Sequence, residues 1–306
     1  MHFPGASLAR AARFTLPVVA TLSLGGTASA QHAKLMLFGE SNQAGLDLPE
    51  ERRAVHPITS PFYHEDSFIT SDLRAWWLRH NLSETDAGGG RVDGVALQVR
   101  LALTDRLQFV AYKDGFLDFN APLNNNDSGW VDVGAGLKWA FLQNWETDLH
   151  AALGVGYEFG VGNEEVLQGD DEVRFWGSIN KDFDRLHLGA TANYLLATGS
   201  EDALGDSDRL FLHGHADFWV NKYFSPVVEL NYYNTVQEGN NRPLPITGVD
   251  VANLGGGKDN DVLTGGIGFE VRPARAFTIR AAFEDPLNNK PSLFGNRWTV
   301  SAGWAF

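Results

Sequence analysis

The chain has 306 residues, a formal net charge of −14, no cysteine and a mean hydropathy of −0.20. The missing thiols exclude disulfide stapling, and the acidic balance argues against nucleic acid as a partner, because phosphate binding needs a basic surface. No run of eighteen apolar residues follows the first thirty positions, which excludes helical membrane spans; a membrane barrel stays open, because its alternating strands average to near-neutral hydropathy.

At the start, Arg10 and Arg13 form a positive region, 14–26 is apolar or small, and Ala28-Ser29-Ala30 precedes Gln31. This pattern predicts a secretory signal peptide over 1–30, cleaved near Ala30. Residues 31–66 differ from the remainder. They hold one short apolar stretch at 35–38, the charges Glu50, Glu51, Arg52 and Arg53, and the breakers Pro49, Pro57 and Pro61. They are expected to form an extension ahead of a barrel at 67–306, lying in the periplasm or inside the lumen as a plug.

From residue 68 onward alternating segments are separated by turns that are in turn short and long. The predicted strands are 68–82, 94–103, 107–119, 130–141, 147–159, 173–182, 186–197, 209–220, 226–236, 261–271, 277–284 and 297–306. In 94–103, Val95, Leu97, Val99 and Leu101 share one face, and Gln98 and Arg100 lie on the other. In 130–141, Val131, Val133, Ala135, Leu137, Trp139 and Phe141 form the apolar face. The expected fold is all-β, a transmembrane antiparallel up-and-down β-barrel of about 12 strands, with both ends on one side of the membrane. Short turns such as 104–106 and 143–144 would be periplasmic, and long Asp/Asn/Gly loops extracellular.

A soluble sandwich or lipocalin-like barrel also alternates, but it hides its apolar face. Here the polar face is rich in Gly, Arg, Asp, Glu and His, as a wet lumen would be. The apolar face carries aromatics near strand ends (Trp139, Phe141, Tyr157, Phe159, Trp298, Phe306), as membrane girdles do. The last strand reads RWTVSAGWAF, with Trp298, Val300, Trp304 and Phe306 on one face and Arg297, Thr299 and Ser301 on the other. It resembles the C-terminal signal that the barrel-assembly machinery reads. The chain is therefore expected in the bacterial outer membrane, as a monomer among outer-membrane lipids and lipopolysaccharide.

Strand parity turns an ionic set into the lumen. Early strands contribute Asp72, Arg74 and Arg100, then Asp132 and Lys138, then Asp148, His150 and Glu158. Later ones contribute Arg174, then Arg209, His213, His215 and Asp217, then Glu229 and Glu270, and last Arg280 and Glu284. Opposed charges in a narrow lumen select solutes by field and width, or else pair and fill the interior; parity alone leaves both readings open. His213-Gly214-His215, continued by Asp217, could offer metal ligands on one face, yet a third strong ligand at known spacing is absent, so hydrogen-bonded filling is preferred. Acidic stretches (Glu164-Glu165, Asp170-Asp171-Glu172, Glu201-Asp202, Asp206-Ser207-Asp208) are read as solvated loop charge rather than cation sites. Gly255-Gly256-Gly257-Lys258 lacks the spacing of a phosphate loop. No Gly-x-Ser-x-Gly elbow occurs, and His150, His187, His213 and His215 fall on the inward face, so neither an enzyme nor a cofactor is expected.

The segment GWVDVGAGLKWAFLQNW (129–145), and in style GGIGFEVRPARAFTIRAAFEDPL (265–287), resemble strands of the porin-like outer-membrane proteins grouped with meta-pathway phenol degradation. The resemblance implies a passive channel for small solutes, hydrophobic or aromatic ones included. It carries over no individual site residue. A non-conducting structural or adhesion barrel is the alternative, and an outer-membrane lipid-modifying enzyme the third.

Overall fold

The computed structural model describes residues 49–124, 126–198, 206–239 and 244–306. The predicted signal peptide, the first part of the extension and the pair Glu201-Asp202 lie outside the described residues. Fourteen strand segments follow one another: β1 (Asp72–Leu82), β2 (Arg91–Ala102), β3 (Leu107–Lys113), β4 (Phe116–Asn120), β5 (Ser128–Trp130), β6 (Val133–Asn144), β7 (Leu149–Phe159), β8 (Glu172–Phe183), β9 (Leu186–Ala197), β10 (Asp208–Phe218), β11 (Phe224–Gln237), β12 (Val262–Ala274), β13 (Phe277–Pro286) and β14 (Phe294–Ala305). Each pairs antiparallel with its neighbours, and β1 pairs with both β2 and β14, which closes the ring. β3 with β4, and β5 with β6, are each one stave interrupted midway, so the closed barrel has twelve strands. Closure leaves no sheet edge, the condition for a sheet to cross hydrocarbon with its backbone groups satisfied.

The two faces invert the soluble pattern. Leu153, Val155, Ile267, Trp139 and Trp298 stand on the outside, each about half to two-thirds exposed, while Arg74, Arg100, Arg174, Arg280 and Arg297 are among the most deeply buried side chains of the molecule. A continuous apolar belt of this kind has no place on a water-exposed surface, and a band facing lipid accounts for it. Among the described residues no helix is long and apolar enough to cross a membrane.

The structure departs from strict alternation in instructive places. The stave expected over 107–119 breaks at Asp114 and Gly115, between β3 and β4. Gly115 has φ +128°, and a Cβ there would run into the Val95 carbonyl. The neighbouring stave breaks opposite it, at Val131 and Asp132, and both side chains are buried. Val131, expected on the lipid face, therefore turns inward: a bulge adds a residue and shifts the parity on its outer side. The first strand begins at Asp72 rather than 68, and 68–71 continue the segment ahead of it. Asp148, expected on a strand, sits in the turn before β7 at φ +50°, paired with Arg52. Glu172, expected in an acidic loop, starts β8 and is buried.

If the outer band faces hydrocarbon, Val155→Arg places a charge midway along β7 on the lipid side. The expected cost is about 2–4 kcal/mol in the stability of the refolded barrel in lipid vesicles. Denaturant titration checks it; a change within about 0.5 kcal/mol, as for an ordinary exposed surface, would mean that the band is solvated.

Candidate functional site: the filled lumen

The barrel interior is occupied by chain that belongs to no strand. Residues 53–71 run through it, and nearly all of them are buried. Strand side chains hold this segment mainly by its backbone. Asp217 Oδ1 accepts from Val55 N at 3.0 Å; the two oxygens of Glu229 accept from Ile58 N at 2.9 Å and Thr59 N at 2.6 Å. Arg174 donates to the carbonyls of Phe62 and Tyr63 at 3.0 and 2.8 Å, and Gln98 to that of Pro61 at 2.8 Å. Ser178 and Thr191 both donate to the Glu65 carbonyl at 2.5 Å, and Asn180 accepts from Ser67 N at 2.9 Å. Space for it is built into the wall. Gly266 turns inward on β12, where a Cβ would come within 2.7 Å of Thr59 Cγ2.

Charge fixes the middle of the segment. Glu65 takes two bonds from Arg100, at 3.0 and 2.6 Å, and one from Lys138 Nζ at 3.0 Å. Asp66 lies 3.6 Å from the same Lys138 and pairs with His56 at 2.5 Å. All four of Glu65, Asp66, Arg100 and Lys138 are buried. Arg174 stacks on Tyr63, Tyr112 and Trp176, with centroid distances of 5.3, 4.5 and 4.5 Å, in cation–π contacts that desolvation strengthens.

The expected lumenal residues can now be placed. Of the ionic set, all but Asp148 are buried. His213 and His215 do not share a ligand. His213 Nδ1 bonds Asn231 Oδ1 at 2.8 Å, and His215 bridges Glu229 at 2.7 Å and Asp217 at 3.1 Å. Asp217 also holds His187 at 2.7 Å. The structure thus assembles a row, His187–Asp217–His215–Glu229–Thr59, of which spacing joined only His215 and Asp217, because the other members come from β9, β11 and the threading segment. Among the described residues no cluster of metal-ligating side chains is found.

A second insertion comes from the loop after β11. Ile246, Val249, Val251, Ala252 and Leu254 are buried in one apolar cluster with Phe62, Tyr63, Phe211 and Tyr233. Arg297 ties this loop through Asp250 at 2.7 Å and β13 through Glu284 at 2.6 Å; Arg209 binds Glu172 at 2.7 and 2.8 Å and donates to the Val249 carbonyl at 3.2 Å. Sequence reasoning took this loop as one of the long extracellular connections and did not foresee that it folds inward. Its one available signal was the sequence PLPITGVDVANL (243–254), unusually apolar for a solvated loop. The interior therefore has two levels, ionic around residues 53–71 and apolar beneath the folded-in loop.

Removing the Glu65 carboxylate takes the nearest counter-charge from two buried cations, leaving Arg100 with Asp72 at 4.0 Å and Lys138 with Asp66 at 3.6 Å. Glu65→Gln is expected to destabilise the barrel by about 3–5 kcal/mol, or to release the segment at lower cost, and in either case to speed hydrogen exchange at the amides of 58–67. Exchange by mass spectrometry checks this, and unaltered protection would show that the pairs do not hold the segment.

No family model matches this sequence, and no curated protein matches it. Solved structures do match its fold. The COG4313 outer membrane channel from Pseudomonas putida F1 superposes with a TM-score of 0.57 at 11% identity, over 83% of this chain and 100% of that one. NanC porin gives 0.49 at 11% identity, over 77% and 98%, and LpxR from Salmonella typhimurium 0.49 at 9%, over 77% and 100%. At such identities the likeness concerns architecture alone, and the architecture shared with the Pseudomonas putida channel is a closed antiparallel β-barrel.

Proposed function

We propose that this chain is an outer-membrane channel for passive diffusion of small solutes, its lumen gated by residues 53–71. The observation that carries the reading is how that segment is held. It contributes no strand to the sheet, and side chains grip it through hydrogen bonds and two ion-paired carboxylates. Such a segment can leave or shift without opening the barrel wall, whereas a lumen filled only by wall side chains cannot clear. The ionic residues from Asp72 to Glu284 would line the path it vacates, and solutes would be selected by charge and width without a chemical step. The apolar level under the outer loop suits solutes with hydrophobic or aromatic parts. Two other proposals complete the picture: residues 1–30 direct export, and β14 with Trp304 and the following Phe306 is read during assembly in the membrane.

The rival readings make different demands. A structural or adhesion barrel needs no movable interior. A lipid-modifying enzyme needs reactive groups on the lipid-facing wall, yet the strand histidines His80, His150, His187, His213 and His215 are buried.

Planar-bilayer recording of the refolded mature protein tests the channel. Small, infrequent unitary currents are expected from the natural sequence. Glu65→Gln is expected to raise the open fraction at least tenfold, the effect of about 1.4 kcal/mol on a two-state gate. Silence in both proteins, with no solute uptake by liposomes, would sink the channel in favour of a structural barrel; lipid turnover by the detergent-purified protein would instead favour the enzyme.

A further inference from the structure

A cleft opens where the threading segment enters the barrel, at the end that holds the short β12–β13 turn and the last residues of β14. It offers about 50 Å³ of water-accessible space; a single water needs roughly 10–15 Å³ on that measure, so a small polyatomic ion fits. Four guanidiniums line it: Arg53 from the segment, Arg74 from β1, Arg272 from β12 and Arg280 from β13. The side-chain carboxylates facing them are Asp72 and Glu270, with Glu50 Oε2 3.8 Å from Arg53 Nη1, beyond hydrogen-bond reach. His56 adds no net charge, since its ring faces Asp66 at 2.5 Å.

Asp72 and Glu270 are already engaged. Asp72 takes Arg74 Nε at 2.6 Å and Thr70 Oγ1 at 2.5 Å; Glu270 takes Arg272 Nε. Arg280 Nε stays 3.9 Å from Glu270, beyond hydrogen-bond reach. Three guanidinium nitrogens are buried without a hydrogen-bond partner among the described residues: Arg53 Nη1, Arg272 Nη1 and Arg280 Nε. Their residues are at least nine-tenths buried. A buried charged donor left unpaired is costly, so three in one cleft indicate a missing acceptor. One other nitrogen of each is fixed by a backbone carbonyl: Arg272 Nη2 by Arg53 at 2.7 Å, Arg53 Nη2 by Arg275 at 3.0 Å and Arg280 Nη1 by His56 at 3.3 Å. The donors are thus held in place before any ligand arrives.

We propose that this cleft is a receptor for a phosphate group. Three donors on three separate guanidiniums match the several oxygens of a tetrahedral phosphate better than the two of a carboxylate, and arginine is the side chain suited to that geometry. Trp304, beside the cleft and half exposed on the outer wall, places the site near the membrane boundary. The phosphate could come from a phospholipid headgroup of the adjoining leaflet or from a free ion, and the chemistry of recognition is the same.

The test is calorimetric titration of the full mature chain in an uncharged detergent, independent of any conductance. Inorganic phosphate is one probe, dihexanoyl phosphatidic acid the other, and chloride at equal ionic strength the reference. Saturable binding of at least one phosphate probe is expected, weakened tenfold or more in Arg272→Gln and in Arg53→Gln. The second variant lies off the barrel wall and so keeps the test valid if the first fails to fold. Arg91→Gln, on an exposed strand end, should bind as the natural sequence does. Binding of the lipid alone assigns the headgroup as source, and binding of inorganic phosphate alone assigns the free ion. The proposal is overturned if neither probe binds more tightly than chloride, or if both variants bind unchanged.

Discussion

A closed barrel with an apolar exterior has to satisfy every inward polar group from within. Arg74, Arg100, Arg174, Arg280 and Arg297 are all buried on its inner face. An isolated buried cation is costly, and only close carboxylates, carbonyls and aromatic faces offset that cost. The rest of the interior follows from this constraint. Wall carboxylates meet part of it, as Asp72 does for Arg74 and Glu284 for Arg297. The threading segment meets much of the remainder, with Glu65 for Arg100 and Lys138, and backbone carbonyls for Arg174. The segment and the wall charges are therefore one construction, each leaving the other unpaired if removed.

That view also explains the two levels of the lumen. Around residues 53–66 the partners are ionic, and the segment is extended enough to present its own N–H and C=O groups to Glu229, Asp217 and Gln98. Under the loop after β11 the inward residues are Phe211, Tyr233 and Leu195, and the loop answers with Ile246, Val249 and Leu254. Arg209 and Arg297 link the levels, each reaching a wall carboxylate and the loop at once. Near the entry of the segment the balance fails, with more guanidinium nitrogens than acceptors, and that local excess marks the cleft assigned above to phosphate.

Period-two alternation made the wall legible in the sequence, because a strand between lipid and lumen must change character at each residue. The strand over 186–197 matches β9 at both ends, and Arg297, Thr299 and Ser301 lie inside as their parity requires. Parity stops where the backbone adds a residue. Val131 is the example: nothing in its side chain announces the bulge, and the only hint was Gly115 on the facing stave. Partnership was not legible at all. Glu65 and Arg100 are 35 positions apart, Thr59 and Glu229 are 170 apart, and neither pair has a periodic signature. Pro57 and Pro61 showed that residues 53–66 could not be a long regular element, yet only the closed ring shows where such a segment goes. The inward folding of the loop after β11 was missed for a related reason: its apolar residues carry no strand or helix period.

The central claim is that residues 53–71 occupy the lumen in the membrane and control passage. The sequence contains no cysteine, so a single introduced pair reports without background. Thr59 Oγ1 accepts from Asn231 Nδ2 at 2.9 Å, which makes Thr59→Cys with Asn231→Cys a direct reporter of the threaded state. The measurement is single-channel conductance of this double variant in planar bilayers under oxidising and then reducing conditions, with each single variant as control. A disulfide that forms readily and abolishes openings, which return on reduction, is the result predicted. Failure of the pair to cross-link in the folded membrane protein, or currents indifferent to the cross-link, would contradict the account.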